Sequence, residues 1–432
     1  MNIISYSWPQ SALQSLDHVL TVNGQRVFVH ESNVAAFAIF SFVGGAHIRV
    51  ETAEPIRSAV VRPLKWNDVT IENSALDFEL PGPKKVSVEV EGLKPLFLFA
   101  GDPEIDIPDR NDPSVHFFEA GKFHEAGDIE LHSGETLYLE GGAIVRGKIR
   151  AVDAGQVCVR GRGILDGGWS EGVQSRRRMA VFENCADLRI EGITMIHPEN
   201  WMISLGVCDR VEIRDIRQIG EVVCSDGIDI VGSCEVLVED CFLRNNDDCI
   251  AIKALDPRSK NHDEKRDWRR DVRNVLVQHC VMLNAQCGNA MEIGFETRAE
   301  SIREITFRDC DVIAAHGEGG VFTIHAGDRA IISDVTYEDI RVEHFYDKFI
   351  DFRILHSRYS KDEKRGQIRN VTFRRIRTNA DRFGAVSLIG GLSADHTIEN
   401  IMFDDLVRGD QKITNADELH LFSKHARGIV YQ

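Results

Sequence analysis

A six-residue pattern recurs eight times between residues 188 and 406, and it constrains the fold more than any other feature. It reads hydrophobic, any residue, hydrophobic, polar, then usually an acid, Gly or Arg, then an apolar residue or Cys. The first copies are Leu188-Arg189-Ile190-Glu191-Gly192-Ile193 and Val211-Glu212-Ile213-Arg214-Asp215-Ile216. Later copies start at Val236, Val275, Ile305, Val335, Val371 and Ile401, so successive starts lie 23, 25, 39, 30, 30, 36 and 30 residues apart. Within each copy the hydrophobic residues alternate in period two, as in strands. The 3.6-residue period of helical repeats is absent, as is the ladder of leucine-rich repeats. A spacing of 22–25 with insertions suits a coil of three short strands. One coil cannot bury its own apolar face, so coils must stack at the strand spacing of ~4.8 Å. The expected fold is all-β: a right-handed parallel β-helix. Asn184-Cys185 and Ser233-Cys234 fit the side-chain stacks inside such coils.

The first hundred residues lack the repeat. They carry short apolar or alternating runs such as Ala36-Phe37-Ala38-Ile39-Phe40 and Val86-Ser87-Val88-Glu89-Val90. Residues 1–105 are therefore expected to form a small β-sandwich-like domain, and 106–432 the β-helix. Asp102–Asp109 is expected as a linker, with regular coils from near Gly127.

Charge narrows the partners. The formal net charge of −17 argues against nucleic acid or an anionic membrane, which need a basic surface. The basic runs Arg176-Arg177-Arg178 and Lys265-Arg266-Asp267-Trp268-Arg269-Arg270 are expected as solvated loops. No stretch approaches the ~18 apolar residues of a membrane span. The first ten residues carry no basic and apolar leader pattern, so a cytoplasmic protein, or a trimmed secreted one, is expected. The ten cysteines include no CxxC pair and no zinc spacing, which fits reduced thiols in a core. No metal and no cofactor are expected, since the Asp-rich loops lack EF-hand spacing. The oligomeric state is not set by the sequence.

The chemistry lies in two neighbouring coils. The first holds Cys224-Ser225-Asp226-Gly227-Ile228-Asp229-Ile230, the second Asn245-Asn246-Asp247-Asp248-Cys249-Ile250-Ala251-Ile252-Lys253. Aligning Ile228 and Ile230 with Ile250 and Ile252 puts Asp226 beneath Asp248, one coil of 22 residues away. A lone Asp-Gly is ordinary turn chemistry. Three carboxylates converging on one face raise at least one pKa, as a general acid near neutral pH requires. Glycoside hydrolysis uses such a set, one carboxyl protonated and the others ionised to hold a water.

These residues resemble the polygalacturonase family, glycoside hydrolase family 28. The likeness rests on Ser225-Asp226-Gly227-Ile228-Asp229 and Asn246-Asp247-Asp248-Cys249-Ile250-Ala251-Ile252-Lys253. It extends through Gly127–Lys148, Gly161-Arg162-Gly163-Ile164-Leu165-Asp166-Gly167 and the Trp201 segment, and covers roughly residues 120–330. The resemblance implies an inverting hydrolase in which Asp247 is the general acid and Asp226 with Asp248 activates water. A β-helix behind an N-terminal β domain is also similar to the dextran-cleaving glycoside hydrolase family 49.

The departures bear on the substrate. The family's Asn-Thr-Asp is Cys224-Ser225-Asp226 here, and its Gly-His-Gly is Gly288-Asn289-Ala290. Asn289, expected in the column of Asp226 and Asp248, can orient a carboxyl or a sugar hydroxyl but cannot titrate. The family's Arg-Ile-Lys, which grips a substrate carboxylate, falls at Thr323-Ile324-His325. With those cations missing and Glu292 expected to face outward, a neutral sugar is expected rather than a uronic one.

Trp201, one coil below Asp226, is a candidate for stacking on a sugar. Asn289, Glu292, Thr323 and His325 complete the expected substrate-binding set, with Glu296 and His316 as further contacts. The insertion Leu255–Asp271 is expected to project beside the cleft and wall one end of a subsite. Two other functions fit the fold: a polysaccharide lyase, which needs a uronate and a proton-abstracting base, and a non-catalytic carbohydrate-binding solenoid. A transglycosylase on the same site is a further option.

Overall fold

The computed structural model describes residues 3–168, 177–260, 264–379 and 384–432. From Val115 onward the chain forms one 31-stranded parallel assembly in which most strands pair with the strand one coil before and one coil after. This is the expected right-handed parallel β-helix. Its first strand, Val115–Phe118, pairs with Thr136–Leu139, so the coils begin earlier than Gly127. Among the described residues the only helical pieces are two short 3-10 turns, Leu64–Trp66 and Pro257–Lys260.

The six-residue repeat is one face of this solenoid, in register throughout. Leu188 pairs with Val211, then Val236, Val275, Ile305, Val335, Val371 and Ile401 follow in one column. The fifth position of every copy has positive φ, from Gly192 at 79° through Asp215, Asp240, His279, Asp309, Asp339 and Arg375 to Asp405 at 62°. A turn in the left-handed region ends each strand there, and Asp and Gly tolerate that region best. The third position becomes an aromatic stack, with Phe307, Tyr337, Phe373, Phe403 and Tyr431 about one coil apart. The sixth position supplies a column of buried thiols, Cys241, Cys280 and Cys310.

Residues 4–101 form two sheets, one of six strands and one of five, packed over a shared apolar core. Strands Ala36–Ser41 and Leu96–Gly101 are buried at every position because both faces are covered. Their other face, Phe37, Ile39, Phe97 and Phe99, packs on Ile144, Ile164, Ile196, Ile219 and Phe242 of the solenoid. Ion pairs rim this contact, including Lys85 with Asp215 and Asp240 at 2.7 Å each. The linker lies along the coils, its Glu104 accepting from the Tyr138 hydroxyl at 3.0 Å.

Candidate active site

The aspartates sit at the turns that lead into strands Ile228–Val231 and Ile250–Ala254. Ile228 and Ile230 pair with Ile250 and Ile252, which pair with Met291 and Ile293. Ile230, Ile252 and Ile293 thus form one inward column, and Trp201, Asp226, Asp248 and Asn289 stack beside it. Backbone hydrogen bonds tie this column together: Met202 N to Asp226 O, Gly227 N to Asp248 O, and Cys249 N to Asn289 O, at 2.8–2.9 Å.

Polar side chains inside the coil hold the turns. Gln218 donates to the Gly227 carbonyl at 2.9 Å, and Asn284 donates to the Asp247 carbonyl at 2.9 Å. Ser225, standing in the family's threonine position, accepts from Asn246 N at 3.2 Å. Gly288 has φ +70°, and a Cβ there would collide with Asp247, so glycine lets the next coil pass over the acid.

Asp226, Asp247 and Asp248 each offer an oxygen within 4.8 Å of the others. Lys253 answers their charge. Its ammonium lies 2.9 Å from Asp226 and from Asp229, and 3.8 Å from Asp248. Burial alone would lower the Lys253 pKa, but these carboxylates outweigh it and raise it well above the usual lysine range. Burial and the charge of Asp226 push Asp247 up to about 6. Asp248, expected to stay ionised, is also pushed up, by burial and by Asp247, against the pull of Lys253. Its Oδ1 nonetheless accepts from both Asn289 N and Asn289 Nδ2, at 2.8 and 2.9 Å, and these bonds favour the carboxylate.

The other expected contacts fare differently. Asn289 is spent on Asp248 and on Gly320 N, which its Oδ1 accepts at 2.9 Å, so it orients a carboxyl rather than a sugar. Glu292 stands on the outer face of its strand but is not open to solvent: it is fully buried and accepts from the His325 ring at 2.9 Å. Thr323 is buried too, its hydroxyl donating to the Met291 carbonyl at 2.9 Å. His325 lies flat on Phe295 with ring centroids 4.2 Å apart, between Glu292 and Asp351. Burial lowers its pKa, but the two carboxylates outweigh that and raise it to about 9. Strand alternation put Glu292 on the outer face as expected, and Thr323 and His325 lie on that face too, flanking core residue Ile324. What it could not register is that neighbouring coils pair these groups and cover them.

Trp201 is no open platform, because the Arg178 guanidinium lies 3.9 Å and the Lys253 ammonium 4.3 Å from its ring centroid. Arg178, expected in a solvated loop, is buried against Glu264 at 2.6 Å; Arg176 lies outside the described residues. Residues 264–271 of the insertion fold back over the coils rather than projecting. Trp268 is fully buried against Gly206 and donates to Glu183 at 2.9 Å. The start of the insertion, Leu255 and Asp256, lines a cavity with Glu296 and a later loop. His316 bonds to His344 at 2.8 Å, two turns along the same edge as Asp248.

Comparison with known proteins agrees with this layout. The sequence model described as glycosyl hydrolases family 28 matches residues 143–423. A probable polygalacturonase of Arabidopsis thaliana is 33% identical over 102 residues, 22% of this chain and 22% of that protein. A second from the same plant is 21% identical over 249 residues, 55% and 50% of the two chains. The chain thus matches half or less of the length of these relatives. Dex49A from Penicillium minioluteum has the same fold at TM-score 0.69 and 14% identity, covering 100% of this chain and 96% of that one. The polygalacturonase of Erwinia carotovora ssp. carotovora follows at TM-score 0.52 and 14% identity, with 78% and 88% covered. With a family model spanning most of the β-helix and both aspartate turns, the chain belongs to glycosyl hydrolases family 28.

Proposed function

We propose that this glycosidase cleaves its bond in one displacement with inversion, Asp247 protonating the leaving oxygen while Asp226 and Asp248 hold the attacking water. One observation carries the reading: Asp247 is the least buried of the three and makes no ion pair with Lys253, whereas Asp226 is held by the Lys253 ammonium and Asp248 by two Asn289 donors, even though burial raises Asp248 as well as Asp247, the latter to about 6. A carboxyl with that pKa is protonated often enough near neutrality to act as an acid. Asp226 Oδ2 and Asp248 Oδ1 are occupied by protein donors, which leaves one oxygen of each to share a water.

The spacing favours a second reading. Inverting sites ordinarily separate acid and base by ~6.5–9.5 Å, but here the coil step and the Asp247–Asp248 adjacency keep all three carboxylates within 4.8 Å. Under that reading Asp226 or Asp248 attacks the sugar directly and configuration is retained. Proton NMR of the first-formed anomer separates the two: an inverted product upholds the water mechanism, and a retained one replaces it with the covalent route.

We also propose that the sugar at the cleaved bond is neutral. His325 and Arg353 are cationic but already matched by Glu292 and Asp351, with Arg353 donating to Asp351 at 2.6 and 2.7 Å. No unspent cation stands where Thr323 and His325 replace the family's grip.

A further inference from the structure

The turns that lead into the catalytic strands continue along the solenoid past the aspartates, each packed on the one before. Asn284 donates to the Asp247 carbonyl at 2.9 Å, and its own carbonyl accepts from His316 N at 3.0 Å. Gly317 and Gly319 press so closely on the backbone of Gln286, Cys287 and Gly288 that a Cβ on either would collide. Ala315 N then bonds to the His344 carbonyl and Tyr346 N to the Ala315 carbonyl, at 2.9 and 3.0 Å. His316 and the pair His344 and Tyr346 thus ride on successive turns of one edge. The first of these turns lies two coil steps, ~10 Å, beyond Asp248.

Three rings gather there. Nδ1 of His316 bonds to Nε2 of His344 at 2.8 Å, with ring centroids 5.1 Å apart and planes 32° from parallel. Two imidazoles joined edge to edge at so shallow an angle make one nearly flat plate, wider than either ring. Tyr346 extends it, 5.6 Å from His316 and 50% exposed. His316 is exposed as well, and His344 is half-buried.

The plate is held before any ligand arrives. Backbone bonds pin both turns, and Lys348 ties them together by donating to the Glu318 carbonyl at 2.6 Å. Little ordering is left to be lost on binding. Aromatic rings left partly in water, on a row that begins at the catalytic acids, are placed to cover something flat and apolar. A pyranose offers its C–H face for that purpose, with hydroxyls at its rim. Exposed Glu318, two residues beyond His316, supplies an acceptor for such a hydroxyl and opposes a charged acid group.

We infer that His316, His344 and Tyr346 form a stacking subsite for a neutral pyranose ring of the polysaccharide chain, at least one sugar removed from the bond that is cleaved. Resting on the reading of the aspartates as the cleavage site, this subsite makes long chains the preferred substrate over short ones.

Chain-length dependence of binding tests it. Calorimetric titrations of the full chain carrying Asp247→Asn use the dimers and hexamers of isomalto-, β-1,4-galacto- and xylo-oligosaccharides. In at least one series the hexamer is expected to bind at least about tenfold more tightly than the dimer. His316→Ala combined with Tyr346→Ala should bring that ratio to within about twofold. His316→Phe combined with His344→Phe should preserve it, because a stacking face survives the loss of the imidazole nitrogens. If Asp247→Asn still cleaves the hexamer, the acid assignment fails by itself, and the same length ratio is then read from kcat/KM. Absence of a length preference in all three series overturns the inference. So does a preference that survives the alanine pair, or one that is lost in the phenylalanine pair.

Discussion

Lys253 donates from its ammonium to Asp226 at 2.9 Å, and both side chains are buried. The same ammonium serves Asp229 and lies near Asp248, so one cation makes an otherwise repulsive cluster tolerable. Removing one partner of a buried pair leaves uncompensated charge and costs ~3–5 kcal/mol. Lys253→Met should therefore destabilise the fold by about 3 kcal/mol at pH 7 and lower kcat at least about 100-fold. Without the ammonium, the folded-state pKa values of Asp229 and Asp248, already raised by burial, rise further above their unfolded values, so stability is lost as pH rises. Denaturant unfolding should show a smaller deficit at pH 5 than at pH 7. An equal deficit at the two pH values would sink this account.

Asp247 must carry its proton to act as the acid, and its pKa is pushed to about 6. Above pH 6, kcat/KM should fall about tenfold per unit, because the protonated fraction does. Asp247→Asn should cut kcat by about 10³–10⁴ on natural oligosaccharides. It should do much less on an aryl glycoside whose leaving group needs little protonation, and the alkaline limb should disappear. Asp226 and Asp248 substitutions should harm both substrates alike. Near-full activity of Asp247→Asn on oligosaccharides would remove it from this role.

His325 offers a pH-dependent stability that is separate from catalysis. Burial opposes its charge, but Glu292 and Asp351 raise its pKa from 6.5 to about 9. A group raised on folding adds stability that is fully present below the unfolded pKa and is lost as pH rises through the folded one. The window is thus pH 6.5 to 9, and the size is about 3 kcal/mol at ~1.4 kcal/mol per unit. Thermal unfolding of the protein should shift down across that window, while His325→Gln should start lower and stay flat over it.

Substrate charge is measurable directly. With Thr323 and His325 both committed inside the protein, polygalacturonate should be turned over with kcat/KM at least about 100-fold below that of a neutral oligosaccharide. Reducing-end release followed by chromatography reads this. Robust turnover of polygalacturonate would refute the neutral reading of the cleaved sugar.

Much of this architecture is written in local periodicity. The six-residue repeat set the coil, the strand register and the left-handed turn at its fifth position, because each depends on near neighbours and on the two-residue alternation of a strand. The same register carried Asp226 under Asp248 and Asn289 above it, since a solenoid converts a fixed sequence offset into a fixed spatial step. Asp247 and Asp248 were legible for that reason, whereas Lys253, at the end of their motif, takes its role only from the carboxylates the stacked coils bring to it.

What periodicity could not supply was the fate of polar groups once several coils were stacked. Alternation assigned Glu292 to the outer face, yet His325 from the next coil pairs with it, and Asp351 from one coil further on pairs with His325 in turn, so the groups are covered. The insertion after Lys253 follows no repeat, so nothing in the spacing announced that Trp268 would fold onto Gly206 or that Arg178 would pair with Glu264. Those contacts join residues tens of positions apart through loops of irregular length. Only the packed chain decides them, because their energies depend on what desolvates and neutralises each group, not on where it stands in a strand.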